Sequence, residues 1–361
     1  MPIGMVVMRW NERVGAELVA KYPEEVNISD KTLMQIYSTH EYTGEAGMIS
    51  AMIGALNVAS YYTGAEKGYY ILLLLNADED ADAYEEGLAD ISRIILNNLE
   101  GDAFQKLVPS LFQRVSIYPS LNPEQKLAMV YFDDTKRMVF SRLRDEGAVT
   151  KSELQVWLKD QYRGGFVDIE STLNSLIKEE LVKAVSVKGM PSELVYLIKD
   201  ILIARAPADA LYRDGSSRGL PANLVETYRQ EVLSFFNYYE ISDEDNLLLL
   251  KVLLDGPTYE TLKLMREAFV TRDDLEKLKK KGVDDVDAVL RILWDAKMLA
   301  IMRDAQSNEY YGLKTDVVVE KFLPQYMVDT IRQHYRTKAK ANIVLLEYLN
   351  VLQESFLAAK K

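Results

Sequence analysis

Alternating carboxylates are the first chemistry this chain offers. Asp78, Asp80 and Asp82 are spaced like the opening ligands of a calcium-binding loop. Such a loop needs Gly at its sixth position for a sharp turn and a bidentate acid at its twelfth. Those positions hold Ala83 and Ala89, so the acids read better as the charged first turn of a helix. His40 and His334 are the only histidines, and there is no Cys. That inventory gives no zinc site, thiolate nucleophile or disulfide. No phosphate-binding Gly-x-x-x-x-Gly-Lys-Ser/Thr loop, no Gly-x-Gly-x-x-Gly turn after a strand and no Gly-x-Ser-x-Gly elbow occurs. The expectation is a protein without intrinsic catalysis, cofactor or metal.

Composition turns the question toward binding. The 361 residues are 48% hydrophobic and 27% charged, as in soluble globular proteins, and the length suggests two or three compact units. No secretory apolar segment opens the chain and no apolar run approaches a bilayer span, so a soluble cytoplasmic protein is expected. Of the net charge of −12, the first 101 residues carry −10. An acidic front end repels phosphate backbones and anionic lipid, and favours a basic or mixed protein partner.

That front end reads as strand, strand, helix, three strands, helix. In "IGMVVMRW" both alternating sets are apolar except Arg9, which predicts a strand buried on two faces. "NERVG" supplies a turn into "AELVAKY", whose alternation suits a sheet edge. Ser29 or Asp30 caps a helix with Leu33, Ile36, Tyr37 and His40 on one face and Gly44 as its stop. "GMISAMIGA", "NVASYYTG" and the wholly apolar "GYYILLLLN" follow as strands. A second helix carries Tyr84, Leu88, Ile91, Ile95 and Leu99 and ends at Gly101. Placing the two most apolar strands side by side gives the sheet order 2-1-5-4-3.

The rest of the chain repeats. Residues 168–185 lie over 285–302, with Asp168/Asp285, Leu173/Leu290, Leu176/Leu293 and Val182/Leu299 coinciding. Residues 193–205 lie over 309–321, and "VTKSEL" over "VTRDDL". Each copy reads as a helix, a short Thr-capped helix, a longer helix and a hairpin, the winged-helix pattern. "YRDGSSRGLPAN" (212–223) is expected as an exposed hinge. After Pro324 a long helix is expected, with Val328, Ile331, Tyr335, Leu345, Leu349, Leu352 and Phe356 as a seam that packs back on the second copy or self-associates.

A helix that reads DNA needs Arg, Lys, Asn or Gln toward the bases and basic neighbours toward phosphate. "DIESTLNSLIKEE" has one Lys and four acids; "DDVDAVLRILWDAK" has two basic residues and four acids. The basic "RQHYRTKAK" (332–340) reads as a solvated helix face. DNA binding is therefore expected to be unlikely and protein binding favoured.

The strand order, the opening hairpin ending in Tyr22-Pro23 and the terminal amphipathic helix resemble the longin domain. With winged-helix modules behind it, the layout also resembles the nitrogen permease regulator-like subunits that act on Rag-type GTPases. The resemblance implies an α+β fold: a five-stranded antiparallel sheet flanked by helices over 1–118, winged-helix domains over 119–211 and 224–324 about the 212–223 linker, and a C-terminal helix over 325–361. It implies a small GTPase, or a longin- or roadblock-type protein, as partner, with homo- or heterodimers allowed. In the catalytic member of that family an arginine finger projects before the last strand. Here the loop is "GAEKG", with Lys67 and no arginine, and lysine lacks the planar fork of a guanidinium. A non-enzymatic scaffold in GTPase regulation or membrane trafficking follows, the alternative being a winged-helix transcription regulator. Partner-binding residues are expected at Tyr37, His40, Tyr42, Tyr61, Tyr62, Arg13 and Lys67. Tyr61 and Tyr62, adjacent on a strand, must face opposite sides; incomplete helix cover would leave one ring for a partner.

Overall fold

A computed structural model describes residues 1–44, 46–99, 103–162, 167 and 169–358. Gly101 and Asp168, expected as a helix stop and a repeat position, lie outside the described residues. The fold is mixed α+β, with an N-terminal five-stranded antiparallel sheet followed mainly by helices. The chain divides into two compact units, residues 1–121 with 150–178, and 122–149 with 179–361.

In the first unit β1 (Gly4–Asn11), β2 (Gly15–Tyr22), α1 (Asp30–Thr43), β3 (Gly47–Ile53), β4 (Leu56–Tyr62) and β5 (Tyr69–Leu75) build a sheet of order β2-β1-β5-β4-β3. This is the expected order; β4 and β5 are buried at every position after their first, and β1 over its first five residues. Alternation sorts their side chains. Val6, Met8, Val58, Tyr62, Tyr70 and Leu72 face α1, whose Leu33 and Ile36 cover them. Met5, Val7, Tyr61, Ile71 and Leu73 face α2 (Glu85–Asn98). Each such burial contributes roughly 2 kcal/mol. Ser29 caps α1 by accepting from the Thr32 amide at 3.2 Å. Gly44, at φ +68°, ends it, a backbone state that favours glycine.

One helix here was not expected. α3 (Ala103–Ser116) joins α2 on the same face, burying Phe104, Val108, Leu111, Phe112 and Val115. Pro109 sits inside it and removes the amide that the Gln105 carbonyl would otherwise accept from.

The repeat then runs as α4 (Pro123–Phe132), α5 (Asp134–Glu146), β6 (Ala148–Thr150), α6 (Lys151–Gln161), α7 (Ile169–Lys178), β7 (Val182–Val185), β8 (Leu194–Leu197), β9 (Asp200–Ala206), α8 (Asp209–Asp214) and α9 (Val225–Phe236). Its second copy is α10 (Asp243–Leu254), α11 (Gly256–Glu267), α12 (Arg272–Glu276), α13 (Val286–Asp295), β10 (Leu299–Arg303), β11 (Glu309–Leu313), β12 (Asp316–Phe322), α14 (Tyr326–Thr337) and α15 (Asn342–Ala358). Both copies run as helices followed by a hairpin, in the expected sequence of elements, although α6 is no shorter than α7. α6 and α7 belong to the first unit; the remainder of the repeat lies in the second.

Within the second unit the copies exchange elements. β9 and β12 pair with each other, from Asp316↔Ala206 to Phe322↔Asp200, in a two-stranded antiparallel sheet. The same clamp stands at the start of each strand. Arg144 Nε donates to Asp200 Oδ1 at 2.8 Å, and Arg266 Nε to Asp316 Oδ1 at 3.0 Å. The same oxygens accept the next amide, Ile201 at 2.6 Å and Val317 at 2.7 Å. The helices after each strand are exchanged too. Tyr228 of α9 donates its hydroxyl to the Leu313 carbonyl of the second copy at 2.6 Å, while Tyr348 of α15 donates to the Leu197 carbonyl of the first at 2.8 Å. The C-terminal helical segment is broken at Lys338, where φ is +54°, so the long C-terminal helix is α15 alone. α15 therefore packs on the first copy through Val344, Leu345, Tyr348 and Val351, not back on the second.

The expected hinge is exposed at Arg213, Asp214, Ser216, Ser217 and Gly219, but it is anchored at several points. Leu211 and Leu220 are buried, the Phe269 amide donates to the Arg218 carbonyl at 2.8 Å, and the Arg218 guanidinium reaches the Glu267 carbonyl at 2.6 Å. Within the segment the Gly215 carbonyl accepts from the Arg218 and Leu220 amides at 3.2 and 3.0 Å.

Candidate interaction site

The face of the sheet under α1 gathers aromatics. Trp10 stacks on Tyr37 at 3.9 Å between ring centroids, Tyr37 meets Tyr70 edge-on at 6.0 Å, and Tyr62 stacks on Tyr70 at 4.6 Å. His40 lies 5.6 Å from Tyr62 and 5.4 Å from Tyr70. Its Nε2 is 2.9 Å from Ser60 Oγ, and its Nδ1 is buried without a hydrogen-bond partner. Burial pulls His40 down to about 4, against a smaller opposing effect of the Ser60 contact. The imidazole is neutral near pH 7. Burial also pushes the Tyr70 and Tyr37 hydroxyls up. These groups pack the sheet against its helix.

The seven expected binding residues therefore separate. Tyr37, His40 and Tyr62 share this cluster, while Tyr61 lies on the opposite face among residues of α2 and α3. Tyr61 and Tyr62 point apart as expected, but both are buried. β4 is covered on both faces and flanked by β5 and β3, so neither ring is presented to a partner. Tyr42, Arg13 and Lys67 are exposed, Tyr42 at 94%.

Strand register brings those three together. Arg9 pairs with Tyr69, Tyr62 with Tyr70, and Gly47 with Tyr62. The β1–β2 turn bearing Arg13, the β4–β5 turn bearing Lys67 and the C-terminal end of α1 bearing Tyr42 thus lie at one end of the sheet. Tight turns fix two of them: the Arg13 amide donates to Asn11 Oδ1 at 2.9 Å, and the Lys67 amide to the Gly64 carbonyl at 3.3 Å.

A second concavity went unseen in the sequence. An open groove of about 910 Å³ runs between edge strand β2 and α3, lined by Leu18, Ala20, Tyr22, Gln105, Val108 and Pro109 among others. The signal was the row Phe104, Val108, Leu111, Phe112 and Val115 at helical spacing, hidden by Pro109 in its middle.

The segment expected as the candidate DNA-reading helix of the second copy is α13. Its outward side chains are Asp287, Ala288, Arg291, Ile292, Trp294 and Asp295. Arg272 ties Asp287 with two bonds of 2.6 and 2.9 Å. One unpaired cation beside two acids and exposed apolar groups is a poor match to a phosphate backbone. In the 332–340 cluster Arg332 pairs with Asp329 at 3.0 Å and Lys340 with Glu146 at 3.0 Å.

Among the described residues no group of three or more His, Asp or Glu side chains could hold a metal ion, and no helix is long and apolar enough to cross a membrane. No protein-family model matches the chain, and no curated protein matches it.

Proposed function

We propose that this chain is a non-enzymatic interaction scaffold whose sheet domain is a longin-type platform for a small GTPase or for a longin- or roadblock-type protein, acting in GTPase regulation or trafficking. One observation carries the reading: Arg13, Tyr42 and Lys67 converge, exposed, at one end of a sheet whose faces are both closed by helices. A rigid end presenting an aromatic ring and two cations, each beside an exposed acid (Glu41, Glu12 and Glu66), suits recognition of a protein surface of mixed charge. Lys67 supplies charge without the guanidinium fork of a catalytic finger, which favours binding or nucleotide-exchange promotion over GTP hydrolysis. The exposed face of α13 supports protein rather than nucleic acid as the winged-helix ligand.

The test is affinity capture of native partners by the full chain and by the Arg13→Glu/Lys67→Glu variant. Small GTPases or longin- or roadblock-type proteins should be recovered by the first and lost by at least about tenfold with the second. Recovery of no such protein, or equal recovery by both, rejects the platform. Sequence-specific nanomolar binding of duplex DNA would favour a transcription regulator instead.

A further inference from the structure

The two faces of the N-terminal sheet are covered unequally. On one side α2 buries Leu88, Ile91 and Ile95, and α3 buries Phe104, Val108, Leu111, Phe112 and Val115. On the other side the covering helix is α1, whose buried side chains are Leu33, Ile36 and His40. One of those three is titratable, and it is the one that holds the C-terminal half of the helix. His40 is 1% exposed. Its Nε2 lies 2.9 Å from Ser60 Oγ of β4, and its Nδ1 is buried with no hydrogen-bond partner. With Nε2–H donated to Ser60, Nδ1 is a bare lone pair, which the neutral ring tolerates. Charging the ring adds an N–H at that same nitrogen, buried and without an acceptor.

Among the described residues no carboxylate answers that charge. The rings beside His40 are Tyr62 and Tyr70, with Tyr37 packed on Tyr70. β3 has no titratable side chain, and Arg9 of β1 lies over Tyr69 on the opposite face. From β2, Glu17 is taken by Asn11 at 2.7 Å and Lys21 by the Val26 carbonyl at 3.0 Å. Glu41, the next residue of α1, is exposed; with Glu12 it acts on Tyr37 and not on His40. We propose that α1 is an acid-released cover: when His40 takes up a second proton it leaves its pocket, and the C-terminal half of α1 lifts off the sheet and bares Tyr62 and Tyr70. Burial carries His40 from 6.5 down to about 4, against the smaller effect of Ser60, and a released imidazole regains the ordinary value. The closed form therefore has its full stability above about pH 6.5 and loses it as pH falls toward about 4, tenfold per unit.

Hydrogen exchange of the full chain, corrected for the intrinsic rate, reads the cover directly. Between about pH 7 and about pH 5 the protection of Tyr37 to Thr43 should fall about 20-fold, while α2 on the opposite face keeps its own. His40→Gln can still bond Ser60 and cannot be charged, so its α1 should lose less than about twofold over the same interval. His40→Leu should behave alike if the first variant fails to fold. No loss in the unmodified chain, an equal loss in α2, or the same loss in the variants overturns the proposal. Imidazole NMR adds a reading without substitution, since His334 is the only other histidine. The His40 ring should stay neutral for as long as α1 is protected. Protonation near 6.5 with α1 still protected would show that the pocket accepts the charge, and the proposal would fail.

Discussion

The two copies of the repeat share a clamp, a strand exchange and a helix exchange, yet they spend their surfaces differently. In both, an Arg near the end of one helix holds an Asp that starts the exchanged strand, with the same atoms in contact. Around that common frame the copies diverge. Arg205 of β9 is buried and forks onto Asp245 at 2.8 and 2.6 Å, with Thr315 accepting a third bond at 3.0 Å. Its counterpart on β12 is Lys321, whose ammonium reaches only Glu179, through its carbonyl at 3.0 Å and its carboxylate at 3.6 Å. Outside, α9 shows Glu226, Gln230 and Leu233 where α15 shows Leu346, Asn350 and Gln353. Duplication preserved what joins the copies to each other and left free what faces outward.

The largest expected effect tests the exchange itself. Tyr228 and Tyr348 are almost fully buried, against Phe269 at 4.9 Å and Tyr196 at 5.2 Å. Truncating either to Ala removes an aromatic ring and leaves a carbonyl unpaired, at about 3–5 kcal/mol. The location of the damage should be crossed. Tyr228→Ala, in the helix that follows the first copy, should deprotect amides of β11 in the second. Tyr348→Ala should deprotect β8 in the first. Hydrogen exchange resolves this, and loss confined to the residue's own copy would show that the helices are not exchanged.

Next in size is the asymmetry on the exchanged strands. Burial raises the Asp245 carboxyl, but the Arg205 guanidinium outweighs it and holds the group below the usual carboxylate range. Removing Arg205 strands that charge, so Arg205→Met should cost about 3 kcal/mol. Lys321→Met should change stability by less than about 0.5 kcal/mol. Equal losses in denaturant titrations would erase the distinction between the copies.

Much of this was legible in residue patterns. The sheet order followed from two strands, "GMVVMRW" and "YYILLLL", too apolar to lie at an edge. The repeat followed from Leu173/Leu290 and Leu176/Leu293. Other parts were not. α3 was hidden because Pro109 is a breaker signal inside a strong apolar row. The crossing of α15 was invisible because its buried stripe looks the same whichever copy receives it, whereas α9 already lay within the bounds expected for the second domain, 224–324. Periodicity says that a face is buried, not against what. The binding residues split for a related reason. Tyr62 and Tyr42 are alike as sequence, and only strand order and helix ends make one core and the other surface.

The smallest expected effect concerns the two junctions that follow the exchanged strands. Both carry trypsin sites, Arg213 and Arg218 in the first, Arg336 and Lys338 in the second. Cleavage requires the chain to leave its native path, so the bonds that must open set the order. The first junction is held by the second copy through the Phe269 amide and by α9 through Arg229, which donates to the Tyr212 and Arg213 carbonyls at 3.0 and 2.9 Å. Leu220 is buried beside it. The second junction has only the bonds that end α14, from the Lys338 amide at 3.4 Å and the Ala339 amide at 3.1 Å, with the Lys340–Glu146 pair beyond. Limited trypsin digestion followed by mass spectrometry should therefore release the α15 segment before it separates the two copies. Salt should widen that interval, because it screens the ion pair at the second junction and leaves the buried Leu220 contact intact. Cutting first after Arg213 or Arg218 would mean that the first junction opens more readily than its hydrogen bonds allow, and that the copies move as separate bodies.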